Sequence, residues 1–349
     1  MRIQHQTRGK KTRCSNIMSD RIQAFDFTRV VCTFGIILFH FSGNTASEFK
    51  PFYTFPNGVW GDVFVGIFFI LSGGLLYMNN RKSSLLTFYY KRWKSIFPGF
   101  YLAYLFCFIM TMFRIPDSLI RPVTHYIPTI LGMDGLINTF GLNTYFPTVY
   151  LIGEWFLGAI IICYLFMPAF IRISKKADLL LLAVVFVLAH VIKIGYVSSV
   201  CQWLFYMQTG IVFMKRDLWK NSYVFLVSLI VTFFLSYVPA WGHPYLREAV
   251  LAAALFVVLS YLGQYIMTDG FLNPWFLKLS KWSFSIFLLH HFIIDNVFYQ
   301  ANSVYPERAF LELMFILAAS VAGGFVLNTL TGRILKSKGF KSLEKRLIR

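Results

Sequence analysis

The sequence predicts an all-α, polytopic integral membrane protein of about ten transmembrane helices with both termini cytoplasmic. Three observations predict it. First, the 349-residue chain is 57% hydrophobic and only 14% charged, whereas a soluble domain carries about 25% charged residues. Its mean hydropathy is +0.61, so too few charges remain to clothe a water-soluble globule. Second, apolar runs near the roughly 20 residues that cross a bilayer recur along the whole chain. Third, the basic residues fall between those runs in a one-sided pattern. The 39 Phe and 19 Tyr suit lipid-facing surfaces and interfacial belts.

In chain order, a basic leader (1–21) precedes the first span. Apolar segments follow at 24–42, 59–78, 96–113, 149–170, 179–196, 201–214, 222–239, 247–265, 282–299 and 309–331. The transmembrane domain is thus expected over 22–332, with a basic tail over 333–349. The first run begins near Phe25 after a polar leader, contains Arg29 and shows no small-x-small cleavage site, so it reads as a retained helix, not a signal peptide. Between Arg114 and Thr148 lies a long connection with a moderately apolar stretch, His125 to Phe140. It suits either a re-entrant or interfacial segment acting as a lid, or a packed cap with no specific role.

The net charge of +18 raises two readings, nucleic-acid binding and the positive-inside rule. Distribution decides between them. With the N-terminus inside and sides alternating, only Lys50, Arg114, Arg121, Arg247 and Arg308 fall in outer loops, and Arg29 and Lys193 within helices. All other basic residues fall inside. This is positive-inside patterning, which predicts contact with anionic membrane lipids and no nucleic-acid partner. The five cysteines form no C-x-x-C pair. Cys32, Cys107 and Cys163 sit in apolar runs as small buried side chains, and no metal site is expected.

Polar groups inside a membrane are costly, so each is a functional candidate. Arg29 and His40 share the first helix, about three turns and roughly 16 Å apart, on one face. Arg29 lies toward the cytoplasm and His40 near the outer end. Snorkelling of Arg29 and a helix-to-helix hydrogen bond from His40 are the structural alternatives. Carboxylates gather at the depth of His40: Asp62, Glu154, Asp295 and Glu312. A histidine oriented by a carboxylate is suited to take a proton from a hydroxyl; the sequence leaves open which carboxylate that is. At the inner face, Arg29, Arg92 and Lys94 suit the phosphates of an anionic donor, although positive-inside patterning also places cations there. These depths suggest a donor entering from inside and an acceptor hydroxyl from outside. No G-x-S-x-G, Walker A, G-x-G-x-x-G or H-E-x-x-H motif occurs, which argues against a P-loop ATPase or a nucleophile-elbow hydrolase. His290 and His291 are adjacent on a helix and diverge by about 100°, a poor ligand pair.

Five elements, in order, resemble the membrane-bound acyltransferase type 3 family over about Ile22 to Gly332. They are RVVCTFGIILFH (29–40) with its Arg-x10-His spacing, FFILSGGLLY (68–77), FYYKRWKSIFP (88–98), EWFLGAIIICYLFMP (154–168) and SFSIFLLHHF (283–292). The resemblance implies acyl transfer from acyl-coenzyme A, commonly acetyl-CoA, as donor substrate, with no tightly bound cofactor. It further implies a hydroxyl acceptor on an exported glycan or glycolipid, and a bacterial plasma membrane. By the same resemblance His40 is the general base and Arg29 a donor-binding or orienting group. Arg92 matches the inner-loop arginine, while Ser72 and His290 match positions of less defined role; Glu154, Trp155, Asp62 and Lys94 complete the candidate set. The chain departs from the family at Ser95, where many members carry a second arginine, and at Gly66, where many carry an aspartate that Asp62 is placed to replace. A transporter for a glycan or lipid-linked intermediate is the rival reading; Arg-x10-His separates the two, because passage needs no general base. A membrane scaffold without chemistry is a third reading, opposed by the cost of intramembrane Arg, His and Glu.

Overall fold

A computed structural model describes residues 22–44, 60–80, 83–152, 155–192, 194–237, 244–268, 272–297 and 306–347. Every regular element among them is helical. The helices are α1 (Gln23–Asn44), α2 (Trp60–Asn80), α3 (Leu85–Arg114), the short α4 (Ile127–Ile130) and α5 (Asp134–Thr139), α6 (Trp155–Val191), α7 (Gly195–Lys215), α8 (Ser222–Tyr237), α9 (Pro244–Ile266), α10 (Asn273–Val297), α11 (Pro306–Lys336) and α12 (Lys338–Leu347). Six of them, α1, α2, α3, α6, α9 and α11, are long and apolar enough to cross a membrane. The helices α7 and α10 carry more polar side chains, among them the buried Gln208 and His290 and the exposed Lys278 and Asp295.

All ten apolar segments read from the sequence fall largely on helices, with two changes. The fourth and fifth share the unusually long α6, which is broken at Ala177 (φ −133°, ψ 47°). The sixth, short in the sequence, extends to the full Gly195–Lys215, because turns of small and polar residues lengthen it beyond its apolar centre. The leader, Glu154 and Lys193 lie outside the described residues.

Helix α2 is the most enclosed span, packed against α1, α7 and α9. Its contact with α7 is made backbone to backbone. A Cβ on Gly73 would come 2.1 Å from the Met207 carbonyl oxygen, and one on Gly210 would come 1.9 Å from that of Ile70. Small residues at such a crossing let dispersion contacts accumulate where lipid offers no hydrophobic drive. Helices α3 and α11 lie at the periphery, and side chains such as Phe113 and Phe233 face outward, as a lipid-facing surface requires. Helix α3 starts at Ser84, whose hydroxyl accepts the Thr87 amide at 3.2 Å.

The Arg114–Thr148 connection folds into single-turn helices and 3₁₀ turns packed on the start of α6. Tyr101 and Tyr104 on α3 donate to the carbonyls of Ile130 and Val149, each at 2.8 Å. Gly132, at φ +69°, supplies the left-handed turn that leads into α5. Asp134 opens α5 and is buried, accepting from the Thr129 hydroxyl at 2.8 Å. Burial pushes the Asp134 carboxyl up to about 7.

Two tests follow from these contacts. Gly210→Ala is expected to cost about 1–3 kcal/mol through overpacking and to lower the melting temperature of the detergent-solubilised protein. Gly339→Ala, with open space around it, is the control and should not lower it. For Asp134, the folded protein holds a proton more tightly than the unfolded chain. Its contribution to stability is therefore fully present below its ordinary value of 3.8 and is lost as pH rises through about 7. Melting temperatures should fall across that window by the equivalent of up to about 1 kcal/mol per pH unit, and Asp134→Asn should flatten the slope. An unchanged slope would show that Asp134 does not link the cap to pH.

Candidate active site

The N-terminal half of α1 holds a charged knot. Arg29 Nη1 lies 3.3 Å from Asp26 Oδ1 and donates to Ser280 Oγ of α10 at 2.9 Å; Ser280 in turn donates to Asp26. Asp26 is buried, and Arg29 keeps about a quarter of its side chain accessible. Asp26 was not among the carboxylates singled out from the sequence, although its i,i+3 spacing from Arg29 was the signal for it; Ser280, brought in from another helix, left no such signal. A membrane-embedded guanidinium is thus neutralised and hydrogen-bonded, which is what its burial demands. Thr28 lies in the same stretch and shares a hydrogen bond with Ser260 of α9 at 3.2 Å.

Three turns along α1, His40 meets α10. Its ring lies 4.0 Å, centroid to centroid, from that of His291 and 5.4 Å from that of His290. His290 is fully buried, and its Nδ1 lies 2.6 Å from the Phe287 carbonyl oxygen. A carbonyl only accepts, so Nδ1 carries the proton and Nε2 of the neutral ring presents its lone pair. His291 Nδ1 lies 3.8 Å from Asp295 Oδ2. Of the carboxylates singled out from the sequence, Asp295 thus stands beside the histidine cluster, next to His291. Glu154 lies outside the described residues, and Asp62 faces another pocket.

Nitrogens of His40, His290 and His291 lie within 4.8 Å of one another. Three imidazoles are a donor set that zinc accepts. The divergence of adjacent helical residues argued against His290 and His291 as a ligand pair; the third ring, from α1, is what closes the set. The sequence could not supply that juxtaposition, because it depends on the α1–α10 packing.

The inner-loop candidates separate into two groups. Arg92 sits 5.8 Å from the ring centre of Tyr164 on α6, and Ser72 of α2 lies near the same tyrosine's hydroxyl. Ser72 and Arg92, far apart in sequence, thus meet on one tyrosine. Lys94 instead pairs with Glu344 of α12 and lies over the Phe340 ring at 5.6 Å. The Trp93 and Phe340 rings stack at 6.3 Å and 4°. The Glu344 carboxyl is held below its usual range by the hydrogen bond from Lys94. Ser95 donates to the Arg92 carbonyl at 2.9 Å and offers no cation.

Asp62, Gly66 and Trp155 line one pocket of about 300 Å³ with Trp203, Tyr206 and Glu248. A Cβ at Gly66 would approach Ala252 and Tyr206 at 3.0 Å, so an aspartate here would require those side chains to give way by a few tenths of an ångström. The carboxylate stands one turn earlier, at Asp62, in the same pocket. Thr139 and Phe140 of the cap complete the lining, which gives the Arg114–Thr148 connection a place in a cavity wall. Trp203, Tyr206 and Glu248 carried no sequence motif; only tertiary packing reveals them.

Comparison with known proteins gives one match. Residues 22–329 fit the acyltransferase 3 family, described as an acyltransferase domain. No curated protein and no solved structure matches the chain.

Proposed function

Because the chain belongs to the acyltransferase 3 family and is therefore a membrane acyltransferase, we propose that it moves an acyl group, acetyl in the first instance, from cytoplasmic acyl-coenzyme A to a hydroxyl of a cell-surface or exported carbohydrate. The observation that carries this reading is the position of His40. It stands at the C-terminal end of α1 against His290 and His291, with Asp295 behind His291.

In the proposed reaction the acceptor oxygen bonds to the thioester carbonyl carbon while His40 takes the hydroxyl proton. The carbon–sulfur bond breaks, and coenzyme A leaves as a thiolate that takes up a proton. The family assigns Arg29 to the donor, and the Arg92–Tyr164–Ser72 group offers a guanidinium to phosphate oxygens at the same end of the bundle. Lys94 reaches an anionic donor only by exchanging its partner Glu344.

The topology that goes with this reading has ten crossings, both termini in the cytoplasm and the basic loops inside, in a bacterial plasma membrane. The support is the charge distribution of the sequence and the merging of two segments within α6 at Ala177, beside the basic Arg172, Lys175 and Lys176.

Purified protein in lipid vesicles, given radiolabelled acetyl-CoA and glycans of the source cell, should label a glycan. His40→Ala is expected to reduce transfer by about 10²–10⁴-fold, the usual worth of a general base, with insertion unchanged. Transfer equal to wild type would remove the base assignment. A second measurement addresses the three histidines. An imidazole nitrogen bound to a metal has no lone pair for a proton, so activity should survive exhaustive chelation. Loss of activity with chelator, restored by zinc, would replace the general base with a metal centre.

A further inference from the structure

The pocket that contains Asp62 takes no part in the proton transfer or donor binding described above. At about 300 Å³ it stands at the lower end of small-molecule sites. Its lining divides chemically in two. One part is a set of nearly parallel rings: Trp203 lies 6.0 Å from Phe69 at 8°, 6.1 Å from Phe140 at 20° and 5.5 Å from Trp155 at 29°. The other part is hydrogen-bonding: Asp62 and Glu248, with Gln202 and Ser199. Flat aromatic surface beside groups that accept and donate hydrogen bonds suits a ring with an apolar C–H face and a rim of hydroxyls. A pyranose has that form.

The charge of the lining narrows the class further. When ionised, Asp62 and Glu248 only accept hydrogen bonds and so take O–H or N–H donors from the ligand. None of the pocket's lining residues is basic. The neighbouring Arg247 is turned to α8, where it donates from Nε and Nη2 to the Leu235 carbonyl at 3.1 and 2.8 Å. With Asp62 and Glu248 ionised, a sugar carrying a carboxylate, phosphate or sulfate would meet like charge in the lining, where such repulsion is poorly screened and where the nearest cation, Arg247, already acts on Glu248.

The pocket shares a wall with the histidine cluster. Phe156 packs on Phe69 of the pocket at 4.8 Å and on Phe287 at 5.3 Å, and the Phe287 ring lies 5.7 Å from that of His290. Along this path three rings, Phe156, Phe287 and His290, stand between Phe69 of the pocket and the proposed base His40, so a ligand in the pocket is not itself the reacting unit.

We propose that this pocket is a subsite for an uncharged or amine-bearing sugar unit neighbouring the one that is acylated, and that it rejects acidic sugars. That this sugar belongs to the acceptor rests on the acyl-transfer reading; sugar binding does not.

The test is binding without donor. Tryptophan fluorescence of the purified protein is titrated with methyl hexosides of gluco, galacto and manno configuration, with glucosamine and with glucuronate. A saturable response to a neutral or amino sugar is expected, with glucuronate at least about tenfold weaker. In Asp62→Asn/Glu248→Gln, which keeps shape and removes both charges, glucuronate should bind within a few-fold of the neutral sugar. Should that double variant not fold, the wild-type comparison alone decides. Wild type binding glucuronate as well as the neutral sugars, or responding to none of the panel, overturns the proposal. Sugar binding with the expected selectivity but no acyl transfer to any glycan would leave the subsite standing and remove the acyl-transfer reading instead.

Discussion

The aromatic pocket and the placement of Ser72 depend on how closely α2 and α7 approach. In a membrane, packing replaces the hydrophobic effect as the force between helices, and Gly73 and Gly210 let the two backbones touch. That contact fixes α2, and α2 carries Ser72 toward Tyr164 at one level and Asp62 into the aromatic pocket at another. The same contact sets α7, whose Trp203 and Tyr206 form the opposite part of that pocket. A side chain at either glycine would push these groups apart together. The precision of several distant sites thus traces to one crossing of two helices.

The chain meets part of the cost of burying polar groups by specific pairing. Arg29 has Asp26 and Ser280; Ser174 and Gln208 satisfy one another at 3.0 Å; Asp178 takes both Lys215 and Arg216. The last group ties the far side of the α6 break to the end of α7, so the interruption at Ala177 is held by charge as well as by packing. Unlike these closed pairs, the histidine cluster and the Asp62 pocket present groups to a space, and that difference marks them as places where chemistry or binding occurs.

Much of the fold was legible in the sequence because membrane insertion writes strong local signals. Long apolar runs need no tertiary information, and all ten fall largely on helices. The Arg29–His40 spacing was legible for the same reason, since both residues lie on one continuous helix. What stayed hidden required contacts between helices. Asp295 was one of four carboxylates at the right depth, and only the packing of α1 on α10 joins it to His40, through His291. His290 and His291 looked divergent because the argument considered one helix. Tyr164 was an ordinary residue of an apolar run until Ser72 and Arg92 met on it. Lys94 read as a free cation, while its partner Glu344 comes from the other end of the chain.

That last pairing makes the C-terminal helix a competitor for the inner loop. Helix α12 rests on Trp93 through Phe340 and on Lys94 through Glu344. An ammonium group shared with a carboxylate cannot give its full charge to a phosphate at the same time. Any anion that takes Lys94 therefore loosens the tail, and by reciprocity whatever holds the tail down weakens that anion's binding by the same factor. Docking of the chain's last helix and occupancy of the loop are one linked equilibrium.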